Sequence, residues 1–288
     1  MPIRYDMHMH SSFSTDSDAP MQSMTEAAID RGLSGICFTE HMDLDYPKQY
    51  FPEIPDAFAT DPDEVLSEIQ RLREMAFQIQ KGPSGTEADA SGFWIGYGLE
   101  FGMQPHLSDR FHKIAVHYPL DFIAASQHLV GALDPYYPET WNGQDPADVI
   151  EAYYQEMLSN LQNLKDWDTL AHLDYIIRYI PDRQNTVYDS MIRHREVIDQ
   201  ILRHVIACGK CLEVNTAGCR YGLSQPNPSP AILKSYRELG GKDITIGSDA
   251  HKPEQIAFAF DQVLAMLRSL GFDSYCVFEN RRMRKIQF

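Results

Sequence analysis

The sequence predicts an α/β protein whose parallel strands close into a TIM-like barrel, and three observations carry that expectation. Short apolar runs recur along the chain, each bounded by polar residues or glycine. Segments with helical periodicity and their own start signals lie between most of them. This many strand and helix units within 288 residues favour closure over an open doubly wound sheet, which is the alternative.

In chain order, the first run is "IRYDMHMH", in which His8 and His10 stand two apart and so share one face of a strand. A helix over about Met21 to Arg31 stops at Gly32, as a C-terminal glycine should. "GICFTEH" follows, then a segment from Asp43 to Ala59, rich in Pro and Tyr, that reads as a long functional loop. Asp61, Pro62 and Glu64 form an N-cap, a first-turn proline and an acidic third position ahead of Val65, Leu66, Ile69, Leu72 and Ile79. Lys81 to Gly92, rich in Gly and Ser, is a second expected loop. "FWIGYGLE" and "DFIAASQH" come next, before Asp145, Pro146 and Asp148 repeat the capping device ahead of Val149, Ile150, Tyr153 and Met157. "TLAHLD", "CLEVNT", "DITIGSDAH" and "SYCVFEN" complete the strands.

The apolar content of 43% suffices for a large core, and a single domain over residues 1–288 is expected. A net charge of -16 repels polyphosphate backbones, which argues against nucleic acid as a partner. No apolar run approaches a membrane span, and five cysteines are an odd number for a disulfide framework, so a cytoplasmic protein with free thiols is expected. "CGKC", Cys208 to Cys211, has redox or zinc spacing, but it closes a helix and starts a strand, and no second such pair completes a zinc site. The basic stretch Arg281 to Lys285 reads as a solvated tail without assigned function. No GxGxxG or P-loop follows any strand, which removes the dinucleotide and Walker readings.

The ends of the runs carry the chemistry. His8 and His10, His41, Glu100, His128, His172, then Asp249 and His251 fall at the C-terminal ends of successive strands, which in a barrel converge on one mouth. Six of the eleven histidines are used this way, a repetition that chance placement does not produce. The donors are nitrogen and carboxylate oxygen without thiolate, suited to Zn, Mn or Fe in a catalytic cluster. Their number exceeds the capacity of one ion, so two or three divalent ions are expected, with a carboxylate as bridge. His106, His112, His117, His194 and His204 read as ordinary surface or core residues.

"HMHSSFSTDS", "TEH", "GLE", "SQH", "AHLD", "EVNTAGCR" and "GSDAH", in this order over nearly the whole chain, resemble the polymerase and histidinol phosphatase superfamily, in its histidinol-phosphatase branch. The resemblance implies a distorted seven-stranded barrel and a trinuclear site. In it His8, His10, Glu100 and Asp249 would hold one ion, Glu100, His128 and His172 a second, and His41 with His251 a third. Asp16 stands where many relatives place a histidine, and as a carboxylate it can complete the third site. Arg220 matches the family's phosphate-binding arginine, and a guanidinium fork suits phosphate oxygens. Arg178 and Arg183 are further candidates for that role.

The reaction so implied is hydrolysis of a phosphate monoester, L-histidinol phosphate, in histidine biosynthesis, by a hydroxide bridging two ions across Glu100. Asp249, His251 and Arg220 would act beside Glu100 in catalysis. Asp43 and Asp45, in the loop after His41, would meet the cationic end of the substrate. Rival readings are a related phosphoesterase acting on a nucleotide mono- or bisphosphate, and a metal-binding regulatory module without turnover.

Overall fold

The computed structural model describes residues 3–81, 92–181 and 188–288, except for the side chains of residues 77–81. Most of the expected loop from Lys81 to Gly92, and Arg183, lie outside the described residues. Seven parallel strands run in sequence order around one sheet: β1 (Tyr5–Met9), β2 (Gly35–Met42), β3 (Trp94–Gly102), β4 (Phe122–Ser126), β5 (Thr169–Leu170), β6 (Cys211–Asn215) and β7 (Ile244–Gly247). The helices between them are α1 (Met21–Asp30), α2 (Pro62–Lys81), α3 (Ser108–His117), α4 (Pro146–Asn163), the short α5 (Ser190–Arg193), α6 (Arg195–Ala207), the short α7 (Ala217–Arg220) and α8 (Pro230–Glu238), with α9 (Phe260–Ser269) after β7.

The segment after β7 meets β1 and nearly closes the barrel: Asp249 N donates to His8 O and His10 N to Ala250 O, both at 2.8 Å. The start signals act as expected. Asp145 Oδ1 accepts from Ala147 N at 2.8 Å, and Asp61 Oδ1 from Asp63 N at 2.9 Å. The segment from Asp43 to Ala59 forms turns and one isolated bridge, Met42 to Ala59, without a helix or strand of its own.

Two features position the site. Parallel register sets His41 beside Glu100 on adjacent strands, so both side chains leave the sheet on the same face. "TLAHLD" yields a strand of only two residues because His172 takes a positive φ of 22°, which carries the chain out of the ladder where its ring enters the mouth. Asp249, with φ of 52°, leaves the sheet after β7 in the same way.

At the opposite end of the barrel the basic stretch is not a tail, although Arg282, Arg284 and Lys285 are exposed, as a solvated stretch would be. Arg282–Gln287 is a strand, β9, paired antiparallel with β8 (Ser274–Glu279). Arg281 N donates to Asp121 O at 2.9 Å, its guanidinium pairs with the buried Asp168, and Lys285 pairs with Asp243. These aspartates precede β4, β5 and β7, so the basic residues pin the hairpin across the strand starts. Cys208 ends α6 and Cys211 begins β6, in agreement with the structural reading of that pair.

Candidate metal centre

Eight of the nine sequence-predicted ligands gather around the buried carboxylate of the ninth, Glu100. His8 Nε2 and His10 Nε2 lie 3.1 Å apart, and each is 3.5 Å from one oxygen of Glu100. Asp249 Oδ1 closes this group at 3.8 Å and 3.5 Å from the same two nitrogens. On the other side Glu100 Oε1 lies 2.8 Å from His172 Nε2 and 3.3 Å from His128 Nε2. A third group joins Asp16 Oδ2 to His251 Nε2 at 3.0 Å and to His41 Nε2 at 3.6 Å. His41 also links the groups, since its Nδ1 is 2.9 Å from Glu100 Oε2.

A set of polar residues behind the ligands fixes their rings. Glu213 Oε1 is 2.7 Å from His8 Nδ1, Asp43 Oδ1 is 2.7 Å from His128 Nδ1, and His251 Nδ1 is 3.0 Å from Asp249 O. Ser14 Oγ donates to Glu40 Oε2 at 2.6 Å, so it accepts from His10 Nδ1 at 3.2 Å. Each of these contacts places the proton on Nδ1 and leaves Nε2 bare for ligation. Glycine is required where this shell is tightest: a Cβ at Gly102 would strike the Asp43 carboxylate, and one at Gly247 would lie 2.6 Å from Glu213 Oε1.

The residues fit metal ions on two observations. With Nδ1 of His8 and of His10 both committed as donors, their Nε2 atoms face each other at 3.1 Å, a separation that is satisfied by a cation: a proton on the His8 ring, or a metal ion that displaces it. His172 Nδ1 is buried without a hydrogen-bond partner, and Glu100 Oε2, His41 Nδ1 and Asp43 Oδ2 are buried close to one another without hydrogen-bond geometry between them.

The electrostatics agree. Burial opposes charge on His8 and His41, yet the surrounding carboxylates, Glu213 and Glu100 for His8 and Asp16 and Glu100 for His41, raise both well above the ordinary histidine value. Burial likewise opposes ionisation of Glu100, but His8, His128 and His41 hold it well below the usual range. Burial, with His41 and His251 beside it, drives His10 down to about 3. The cluster thus draws in positive charge at its centre while keeping a neutral ligand there.

A cavity of about 620 Å³ opens over these groups. Arg178 and Arg220 line one side, and Tyr46, Phe51, Phe58, Tyr137, Tyr175 and Tyr179 supply much of the wall. Arg178 is buried, donates to Asn227 Oδ1 at 2.9 Å and Asn215 Oδ1 at 3.1 Å, and lies 3.4 Å from Asp249 Oδ2. Arg220 donates to Ser248 O at 2.6 Å and Asp249 O at 2.8 Å; each terminal nitrogen keeps a second N–H.

The two loop aspartates part: Asp43 lines the cavity and Asp45 does not. Asp43 is buried against His128 and His41, so it serves the ligand shell. Asp45 is exposed outside the cavity, paired with Arg110 at 2.6 Å and His106 at 2.9 Å, because its positive φ of 57° turns the chain there. A further carboxylate lining the cavity, outside the expected ligand set, is Asp134, which accepts from Tyr46 Oη at 2.5 Å and from Tyr136 N at 2.8 Å. Sequence reading missed Asp134, Glu213, Glu40 and Ser14. Glu40 and Glu213 carried a usable signal, as carboxylates inside otherwise apolar strand runs; Asp134 and Ser14 lie in loops and carried none.

Comparison with known proteins locates this arrangement. The PHP domain family model matches residues 6–217. A histidinol-phosphatase of Lactococcus lactis is 29% identical over 285 residues, covering 98% of this chain and 97% of that protein. A protein of Clostridium acetobutylicum bearing the name "Probable histidinol-phosphatase" is 29% identical over 281 residues, with 98% of each chain covered. Among solved structures, histidinol phosphate phosphatase from Lactococcus lactis, complexed with zinc, L-histidinol and phosphate, superposes with a TM-score of 0.81 at 26% identity, covering 98% of this chain and 99% of that one.

Proposed function

The chain belongs to the PHP domain family, and from that premise we propose that it hydrolyses L-histidinol phosphate to L-histidinol and phosphate, a step of histidine biosynthesis. The observation that carries the reading is the convergence of bare histidine nitrogens on Glu100, beneath a cavity that also presents two arginines. The relatives named histidinol-phosphatase, and the neighbour holding zinc, histidinol and phosphate, support it.

Divalent transition-metal ions, two or three of them and of the Zn, Mn or Fe type, suit the donor set. His8, His10, Glu100 and Asp249 would hold one, Glu100, His128 and His172 another, and Asp16, His41 and His251 the third. Bound there, the ions supply an activated water near neutral pH and neutralise charge on the phosphoryl oxygens. Arg220 and Arg178 orient the phosphoryl group with N–H donors and stabilise the negative charge that grows on it. Asp249 and His251 act in catalysis by shaping the floor on which the phosphoryl group rests. Asp134 and the tyrosine wall take the cationic, aromatic end of the substrate, the role sequence reading gave to Asp43 and Asp45. Arg183, adjacent in sequence to this region, stays a candidate on sequence alone.

A panel of phosphate monoesters assayed with metal-reconstituted protein tests the proposal. Histidinol phosphate should exceed nucleotide monophosphates and bisphosphates in kcat/KM by at least about 100-fold, about 2.7 kcal/mol. Equal or better turnover of a nucleotide would replace the substrate while keeping the chemistry. No turnover of any monoester by metal-loaded protein would leave a binding module.

A further inference from the structure

Glu213 is the buried acid of β6 that no expected metal group includes, yet it touches two of those groups at once. Its Oε1 accepts from His8 Nδ1 at 2.7 Å. Its Oε2 accepts from the backbone N–H of His172 at 2.9 Å and from Asn215 Nδ2 at 3.1 Å. His172 is the residue whose positive φ ends β5 and turns its ring into the cluster, so this hydrogen bond secures a strained backbone position. Gly247 on the neighbouring strand leaves the space that the Glu213 carboxylate and the His8 side chain occupy together.

We infer that Glu213 is a positioning residue that couples the first metal group to the second, holding the His8 tautomer with one oxygen and the His172 backbone with the other. The inference rests on the metal-ligand reading above. All three donors that reach Glu213 need an acceptor, and only a carboxylate supplies two acceptor oxygens in this plane. An amide supplies one. If the Gln oxygen serves His172 and Asn215, its NH2 faces His8 Nδ1, which must then accept; the ring proton moves to Nε2, and His8 can no longer ligate. If the oxygen serves His8, the NH2 opposes the His172 N–H and the ring of His172 loses its seat. Either orientation weakens a metal group that Glu213 does not itself ligate.

The experiment is zinc and manganese affinity of apo-protein, read by competition with a chromophoric chelator, for wild type, Glu213→Gln and Glu213→Asp, with kinetics at rising metal concentration. Wild type must bind more than one equivalent in the same assay; its failure to do so would remove the metal reading itself, separately from this inference. Glu213→Gln should bind metal about 10–100-fold more weakly than wild type, with kcat largely restored at saturating metal. Glu213→Asp keeps both acceptor oxygens on a stem one methylene shorter; its affinity should fall between the other two, and it carries the test if the glutamine variant does not fold. Wild-type affinity in either folded variant overturns the inference. So does a loss of activity that saturating metal leaves unrepaired, because that would assign Glu213 to the chemistry or to general stability.

Discussion

The Nε2 atoms of His8 and His10 face each other at 3.1 Å, and the partners of their Nδ1 atoms, Glu213 and Ser14, each hold a ring proton on the far side. Buried at that separation, the two nitrogens need a cation between them, either the proton that the carboxylates around His8 favour or a metal ion that displaces it, and the donor set around them suits the metal. Protein purified without chelator should therefore carry more than one transition-metal equivalent per chain by elemental analysis. Stripping the metal should lower the melting temperature, since free metal at 100 times its dissociation constant contributes about 2.7 kcal/mol per site. Less than one equivalent after reconstitution, with an unchanged melt on chelation, would refute the assignment.

Glu100 touches every group: Oε1 faces His8, His128 and His172, and Oε2 faces His10 and His41. Glu100→Gln keeps the shape but loses one acceptor and the charge that holds the surrounding histidines. It should reduce kcat at least about 1000-fold, near 4 kcal/mol, and lower metal content, with a far-UV circular dichroism spectrum like that of wild type. A loss of tenfold or less would show that Glu100 does not link the groups.

The strands and the convergence of the candidate ligands were legible in the sequence because strand alternation and barrel topology turn linear spacing into proximity. His8 with His10, and Glu100 at the end of "GLE", needed no tertiary information beyond that rule. What could not be read was direction in loops. Asp43 and Asp45 are two apart on one loop, yet the first is buried against His128 and the second pairs with Arg110 at the surface. Asp134 emerges only because the turn after His128 folds back over the mouth onto Tyr46. The strand formed by the basic C-terminal residues was not legible for the same reason: the aspartates that hold them lie more than a hundred residues away in Asp168 and Asp121, and nearer in Asp243.

Arg220 combines two duties, because its guanidinium supports the carbonyls of Ser248 and Asp249 while facing the cavity. Arg220→Ala should retain metal at saturating concentrations yet lose kcat/KM on histidinol phosphate by about 100-fold, or about 2.7 kcal/mol. Arg220→Lys should recover part of this, since an ammonium keeps the charge without the fork. Unchanged kcat/KM in the alanine variant, measured beside metal content, would return Arg220 to a purely structural part and leave Arg178 to orient the phosphoryl group.

Asp134 separates substrate choice from hydrolysis. It lines the cavity without contacting Arg178 or Arg220 through any of its hydrogen bonds, raised above the usual carboxylate range by burial and steadied by Tyr46 and the Tyr136 N–H. A carboxylate already accepting two hydrogen bonds keeps lone pairs for an ammonium or imidazolium, and an aromatic wall favours the same charge. Asp134→Asn preserves size and the acceptor for Tyr46 but removes the charge. On histidinol phosphate it should raise KM about 10–100-fold, about 1.4–2.7 kcal/mol, with kcat within about threefold of wild type, as expected for an interaction equal in ground and transition states. On an uncharged aryl phosphate the same variant should match wild type within about twofold, because that substrate never used the carboxylate. Tyr46→Phe, which leaves the charge in place, should fall between them on histidinol phosphate. Equal losses on both substrates would assign Asp134 to packing of the mouth, and the cationic group would then need another acceptor in the cavity.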